Sequence, residues 1–495
     1  MGVLQNLWNG FDIAISPVNF FYCLLGTVIG NLIGVLPGIG PVTAMALLIP
    51  FTFGRDPITS IIMLAGIYYG AMYGGAITSV LLNVPGESSS VPTAIEGYPM
   101  ARQGRAGPAI GMSAIASFVA GTVGVILMML LSPPLAELAL KFGPPEYFSL
   151  MILGMCTVTA LSGKSIIKGW ISAVIGLMVA TVGIDVLTSV NRFNFGRPEL
   201  FDGIDFLVVI MGVFAIAEVM LNIEEPEGGI FQTKIGSLLP TRQDWSVSTL
   251  PLVRGTIIGF LAGVLPGGGA TVGSFLAYGV EKRVSRHPER FGHGAIEGIA
   301  SCEAANNSAA VGAMIPLFTL GIPGTAAAAV LFGAFVMLGL QPGPFLFRDH
   351  PQFVWAVIAS MYIGNVLLLA MNMPLISFFV KLLKVPYKDL MAIILTLAFI
   401  GTFSINGNVF DLWLMLIIAG FGYLLRKLDF SPAPLILGMV LGQNMEMAFR
   451  RSLIISSGSP SVFFTRPISA TLLVLAALWL IFLVAGLKKR PMEDA

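Results

Sequence analysis

Glu303, Asn306 and Asn307 fall at i, i+3 and i+4 in the stretch EAANNSAAVGAMIPLFTLGIPGT (Glu303–Thr325), so a helix there carries all three on one face. A carboxylate and two amides offer the oxygen ligands that a hard cation such as Na⁺ prefers, and the carboxylate can instead take up a proton. Such groups are costly inside an apolar segment, which makes a functional role the expectation and interhelical hydrogen bonding the plainer alternative. A second polar stretch, NVPGESSSVPTAIEGYPM (Asn83–Met100), offers Asn83, Ser88, Ser89, Ser90 and Thr93 as donors, with Glu87 and Glu96 nearby.

Both stretches contain a Pro-Gly break, and each is preceded by another. GVLPGIGP spans Gly34 to Pro41 and GVLPGGGA spans Gly263 to Ala270, each inside an apolar run. Lipid cannot satisfy the backbone groups that a break sets free, so such breaks persist only within protein or along a wet cavity. There, positive helix N-termini bind anions and unwound carbonyls bind a cation. The candidate substrate contacts are therefore Pro37, Gly38 and Gly40, then Asn83, Gly86, Ser88, Ser89 and Ser90. From the second half come Gly267, Gly268, Gly269, Thr271, Gly324 and Thr325. Simple kinking and packing of helices is the alternative, weakened by the breaks recurring in matched positions.

The elements that hold these residues follow from composition. Of 495 residues, 56% are hydrophobic and 11% charged, and the mean hydropathy is +0.88. Soluble domains carry about 25% charged residues. Charge-free runs such as Ile13–Gly54, Pro57–Gly86 and Ala304–Phe347 are long enough for helices of about 20 residues to cross a core roughly 30 Å thick. The alternating short segments of an outer-membrane barrel are missing. We expect an all-α polytopic membrane protein of about 11–13 membrane segments, with broken or re-entrant helices at the Leu-Pro-Gly motifs. The arm Pro251–Leu265 would rise only about 22 Å, too short to cross easily. Net charge is +1, so no nucleic-acid footprint is present. Cys23, Cys156 and Cys302 read as small buried hydrophobes. His287, His293 and His350 fall in polar loops without zinc spacing, so no metal is expected beyond a coupling Na⁺, and no cofactor. No cleaved signal peptide is expected.

Aligned from Gly26 and Gly255, GTVIGNLIGVLPGIG and GTIIGFLAGVLPGGG are identical at eleven of fifteen positions, at an offset of 229. LNVPG (Leu82–Gly86) matches LGIPG (Leu320–Gly324) at an offset of 238, the difference accounted for by the basic insert EKRVSRHPERFGH (Glu281–His293). A weaker echo pairs IAS at Ile115–Ser117 with IAS at Ile358–Ser360. These point to two structural repeats, residues 1–222 and 251–495, joined by a linker at 223–250. We read the repeats as inverted, as in many secondary transporters. The insert and the C-terminal KKR are expected on the cytoplasmic side.

These motifs together resemble the large membrane subunit of the tripartite tricarboxylate transporters, the TctA family. The similarity rests on GVLPGIGP, YYGAMYGGAITSVLLNVPGESSS, EGYPMARQGRAGPAIG, GVLPGGGATVGSFLAYGVEKR and EAANNSAAVGAMIPLFTLGIPG, in that order. One departure is Cys302 before Glu303, where the family usually has proline. The resemblance implies a permease of the bacterial cytoplasmic (inner) membrane working with a small four-span subunit (TctB-like) and a periplasmic solute-binding protein (TctC-like). It further implies Na⁺- or H⁺-driven import of a citrate-like di- or tricarboxylate, and ion coupling is then the role expected of Glu303, Asn306 and Asn307. A stand-alone anion channel or carrier is the rival reading, and an enzyme is not expected: His-Glu-x-x-His and an intramembrane histidine base are missing from the sequence. Arg102, Arg105 and Arg254 either anchor at the interface or reach substrate. Neutralisation of a substrate anion is expected chiefly from amide dipoles, serine hydroxyls and the bound cation.

Overall fold

The computed structural model describes residues 2–36, 40–160, 165–185, 187–224, 236–265, 267–376, 378 and 387–487. The helices are α1 (Val3–Ala14), α2 (Pro17–Val35), α3 (Pro41–Leu48), α4 (Pro57–Leu82), α5 (Val91–Arg102), α6 (Ala106–Ala139), α7 (Pro144–Ala160) and α8 (Ile166–Ala180). There follow α9 (Phe206–Glu224), α10 (Arg242–Val264), α11 (Gly269–Val284), α12 (Ile296–Gly312), α13 (Met314–Leu320), α14 (Ala326–Met337), α15 (Pro344–Asp349) and α16 (Pro351–Asn372). The chain continues with α17 (Tyr387–Asn406), α18 (Val409–Lys427), α19 (Pro432–Ile455) and α20 (Pro467–Leu487). Among the described residues, eight helices are long and apolar enough to cross a membrane, and four shorter apolar ones accompany them. The protein is a multi-pass helical membrane protein. A two-residue ladder, Gly183–Ile184 with Asn191–Arg192, stands outside the all-α expectation.

One expectation is overturned. Pro251 does not begin a short arm: it lies inside α10, whose 23 residues rise about 35 Å and suffice to cross the core. The helix starts at Arg242 because Thr241 and Asp244 form a capping box, a signal hidden among residues whose polarity reads as a linker. Within the interval 223–250, Ile223–Glu224 and Arg242–Leu250 are therefore helical.

Two glycine stripes bring helices to backbone contact. A Cβ at Gly26, Gly30 or Gly34 of α2 would strike the carbonyl oxygens of Met63, Ile67 and Ala71 of α4, respectively. In the same way Gly255, Gly259 and Gly263 of α10 abut Ser301, Ala305 and Ala309 of α12. Helix association in lipid gains little from apolar burial, so small residues that admit close van der Waals packing take over that role.

The insert defines one face of the molecule. There Gln103 Nε2 donates to the carbonyl of His293 at 2.8 Å, just before α6 begins. The 34 residues of α6 rise about 51 Å and end beside Phe142 and Gly143. These line a cavity of about 830 Å³ at the opposite face. Phe345 lines it too, shortly before α16 starts back. Helix α4 runs alongside α16 in the same sense, Tyr69 Oη donating to the Ser360 carbonyl at 3.4 Å and Tyr73 Oη to Asn365 Oδ1. Helix α12 runs alongside α6, its Asn307 bonded to Ser117 and its Val311 packed at Gly124. Thus α4 heads toward the insert face and α12 away from it.

Candidate functional site

Each break is held by its partner break. In the second half the Gly267 amide donates to the Gly324 carbonyl at 2.8 Å. Gly267 has φ +82°, a left-handed conformation that side chains disfavour. A Cβ on Gly269 would lie 2.8 Å from Thr325 Cγ2, and the Thr325 hydroxyl caps α14 by accepting from Ala328 N at 3.1 Å. In the first half, Pro37 and Gly38 lie outside the described residues, as does Pro266 in the second. Around them, a Cβ on Gly86 would strike the Gly34 carbonyl and lie 2.6 Å from Gly75 Cα. A Cβ placed on Gly40 would meet nothing within 4 Å among the described residues. Helix α4 stops at Asn83 (φ 58°) and α13 at Gly321 (φ 68°), positions again 238 residues apart. Asparagine is the residue other than glycine that best tolerates that conformation.

Beyond the first break, Thr43 of α3 donates to the Phe214 carbonyl at 3.0 Å. That carbonyl belongs to a π-helical stretch of α9, Met211–Ile216, whose widened turn leaves backbone groups in need of such partners.

The polar groups meet where α5, α6 and α12 come together. Glu303, fully buried, accepts from the hydroxyls of Thr93 and, at 3.3 Å, Ser117. Asn307 Nδ2 donates to Ser117 Oγ at 2.6 Å and to the Glu303 carbonyl at 3.2 Å. Asn306 is also fully buried, and its Nδ2 lies 3.4 Å from both the Met72 carbonyl and Glu87 Oε1. Its Oδ1 has no partner among the described residues. Glu87 accepts from Ser89 Oγ at 2.5 Å, and the buried Ser90 hydroxyl has no partner among the described residues. Sulfur of Cys302 lies 3.2 Å from Thr93 Oγ1, so cysteine is accommodated inside the cluster beside Glu303.

The structure thus brings Glu303, Asn306 and Asn307 together with Glu87 and Ser89. Gly86, Gly267, Gly324 and Thr325 sit in the break pairs. Ser88 and Asn83 are exposed, while Gly268 and Thr271 are half-buried beside the second break. Ser117 is the residue that the polar-face argument overlooks. Its signal is the IAS echo: Ser117 meets Asn307, and Ser360, its counterpart, meets Tyr69.

Two of the three arginines are committed elsewhere. Arg105 pairs with Asp244 at 2.6 Å, and Arg254 grips Glu281 through Nε at 2.9 Å and Nη2 at 2.6 Å. Arg102 is exposed in the last turn of α5. Glu96 is fully buried and accepts from Tyr278 Oη at 2.6 Å and from the amides of Gly292 (2.6 Å), Gly294 (2.9 Å) and Ala295 (2.8 Å). Its carboxylate therefore sits at the N-terminus of α12, where the helix dipole favours an anion.

A model of the tripartite tricarboxylate transporter TctA family matches residues 20–437. Two proteins of Agrobacterium vitis are similar to the chain. One, described as an uncharacterized 52.8 kDa protein in the TAR-I ttuC′ 3′ region, is 48% identical over 474 residues, 96% of this chain and 94% of the relative. The other, described as an uncharacterized protein in the TAR-II ttuC′ 3′ region, is 49% identical over 215 residues, 43% of this chain and 89% of its own length. No solved structure matches.

Proposed function

The chain belongs to the tripartite tricarboxylate transporter TctA family, and from that premise we propose that it is the permease subunit of a binding-protein-dependent importer of a citrate-like carboxylate. In this reading it sits in the bacterial inner membrane, joined by a small four-span subunit and fed by a periplasmic binding protein. Substrate binds between the paired breaks, and alternating access is driven by an ion gradient. The observation that carries the reading is the joining of each octet to its partner break, Gly34 with Gly86 and Gly267 with Gly324.

Two inverted repeats are the architecture such a mechanism uses, and three features support them. The glycine stripes contact residues at offsets of 229 and 238, α4 and α12 run in opposite senses relative to the insert face, and the left-handed stops at Asn83 and Gly321 correspond.

For the coupling ion we favour Na⁺ at Asn306. Its Nδ2 is too far from Met72 O and Glu87 Oε1 for strong hydrogen bonds, while its Oδ1 has no donor among the described residues. Turning the amide over points three oxygens at one spot. Two oxygens held at about 2.4 Å from a hard cation and at right angles to each other are about 3.4 Å apart, the spacing found here. Glu303 supplies the second negative charge, or a proton site if H⁺ is the driver.

The test is uptake of labelled citrate by vesicles containing all three subunits. Accumulation against a gradient that collapses without Na⁺ or a pH difference is the expected result. Flux that only equilibrates would make the protein a channel.

A further inference from the structure

The cavity at the face opposite the insert holds a cation that no mechanism above employs. Arg451, near the end of α19, is the one lysine or arginine lining it among the described residues. Its arginine neighbours are neutralised. Arg450 meets Asp185 and Glu446, each at 2.7 Å; Arg192 meets the same two at 3.2 and 2.7 Å; Arg466 meets Glu146 at 2.7 Å. Arg451 has no such partner among the described residues, and Asp202, the carboxylate of the same lining, is not within 4.0 Å of it. Gln443 and Asn444 also line the cavity, about two turns earlier on the same face of α19.

We propose that Arg451 is a recruiting site for a carboxylate group in a vestibule leading to the second break. The proposal rests on the transport reading for the identity of the solute. A planar guanidinium binds a carboxylate through two parallel hydrogen bonds, and the amides of Gln443 and Asn444 further along the same wall offer donors to the rest of the solute. The cavity lining includes Gly321, which opens the loop that continues to Gly324 and its bond with Gly267, so the vestibule reaches the loop that carries the second break. About 830 Å³ accommodates a small tricarboxylate with part of its hydration shell. Since α6 runs from the insert face to this cavity, a cytoplasmic insert leaves the cavity open to the side from which solute arrives.

Gln443→Cys provides a readout that needs no transport. In vesicles carrying the chain with both partner subunits, a membrane-impermeant maleimide added from outside should label Cys at 443. The unsubstituted protein, whose three cysteines are buried, serves as background. Citrate should slow the labelling. Arg451→Gln should raise the citrate needed for half-protection about tenfold, and Arg451→Lys, which keeps the charge without the paired hydrogen bonds, should recover only part of the loss. In uptake, Arg451→Gln should raise half-saturating citrate by a similar factor and leave the maximal rate unchanged. Equal protection with and without Arg451, or no labelling from outside, overturns the proposal. Protection that depends on Arg451 in vesicles that accumulate no carboxylate keeps the site and refutes the transport reading.

Discussion

The amide of Gly267 and the carbonyl of Gly324 join at 2.8 Å, making the two breaks of the second half one hydrogen-bonded unit. In the first half Gly86, the counterpart of Gly324, meets the octet through the backbone of Gly34. A ligand held by these loops is held by four chain segments at once.

Gly40 and Gly267 should therefore respond differently to alanine. At Gly40 φ is −75° and no described residue crowds an added Cβ, so Gly40→Ala should leave expression and thermal stability unchanged. A tenfold or greater loss of uptake in that variant would put ligand against the Gly40 backbone, and normal uptake would remove ligand from it. Gly267→Ala should lower stability itself, by about 1–2 kcal/mol, because its left-handed angle burdens any residue with a Cβ.

Asn306→Leu removes the amide oxygen while keeping the volume. The Na⁺ concentration for half-maximal uptake should rise at least tenfold, with little change in half-saturating citrate. Equal shifts in both would mean that Asn306 only packs. Glu303→Gln separates the drivers: a Na⁺-coupled carrier keeps its pH profile, and an H⁺-coupled one loses it.

Arg254→Gln tests whether that arginine serves the fold. Glu281 is only 3% exposed at its side chain and would lose its forked partner, whereas Arg254 is 31% exposed, so solvent softens the cost. A loss of about 1–3 kcal/mol is expected, read as a lower melting temperature. Half-saturating citrate should stay constant. Arg254→Glu combined with Glu281→Arg should recover part of the stability.

Asp185 makes the hairpin formed by Gly183–Ile184 and Asn191–Arg192 sensitive to acid. The amide of Thr188, then its side chain, the Leu187 amide and Arg450 hold this carboxylate well below its ordinary range. A lowered folded value means that the stabilisation is complete above the unfolded pKa and fades as pH falls through the folded one. The hairpin should hold down through mildly acidic pH and loosen only in strong acid. Asp185→Asn should loosen it at neutral pH, seen as faster hydrogen exchange at residues 187–192; unchanged exchange would count against the ion-pair anchor.

Much of this was legible in the sequence because backbone contact leaves a trace in residue type. Gly26, Gly30 and Gly34 recur as Gly255, Gly259 and Gly263, since only glycine admits the carbonyls they meet. The polar face of Glu303, Asn306 and Asn307 was equally visible. Asp244 and Glu281 were not, because nothing local to Arg105 or Arg254 signals a carboxylate brought from another helix. The cavity escaped for the same reason: its walls come from α7, α14, α19 and the loops between them. The helical start at Arg242 was obscured because a capping box and a polar linker share the same residue types.

Glu96 carries a mechanical consequence. It belongs to α5, yet all four of its hydrogen bonds go to Tyr278 and to the loop that opens α12. Pulling α5 away from that loop would strand a buried carboxylate and three amides together, so the two travel as one piece. The seam along which this molecule can flex therefore does not follow the midpoint of its chain. A segment from the first half is pinned into the second, and any rocking body must be drawn with α5 on the side of α11 and α12.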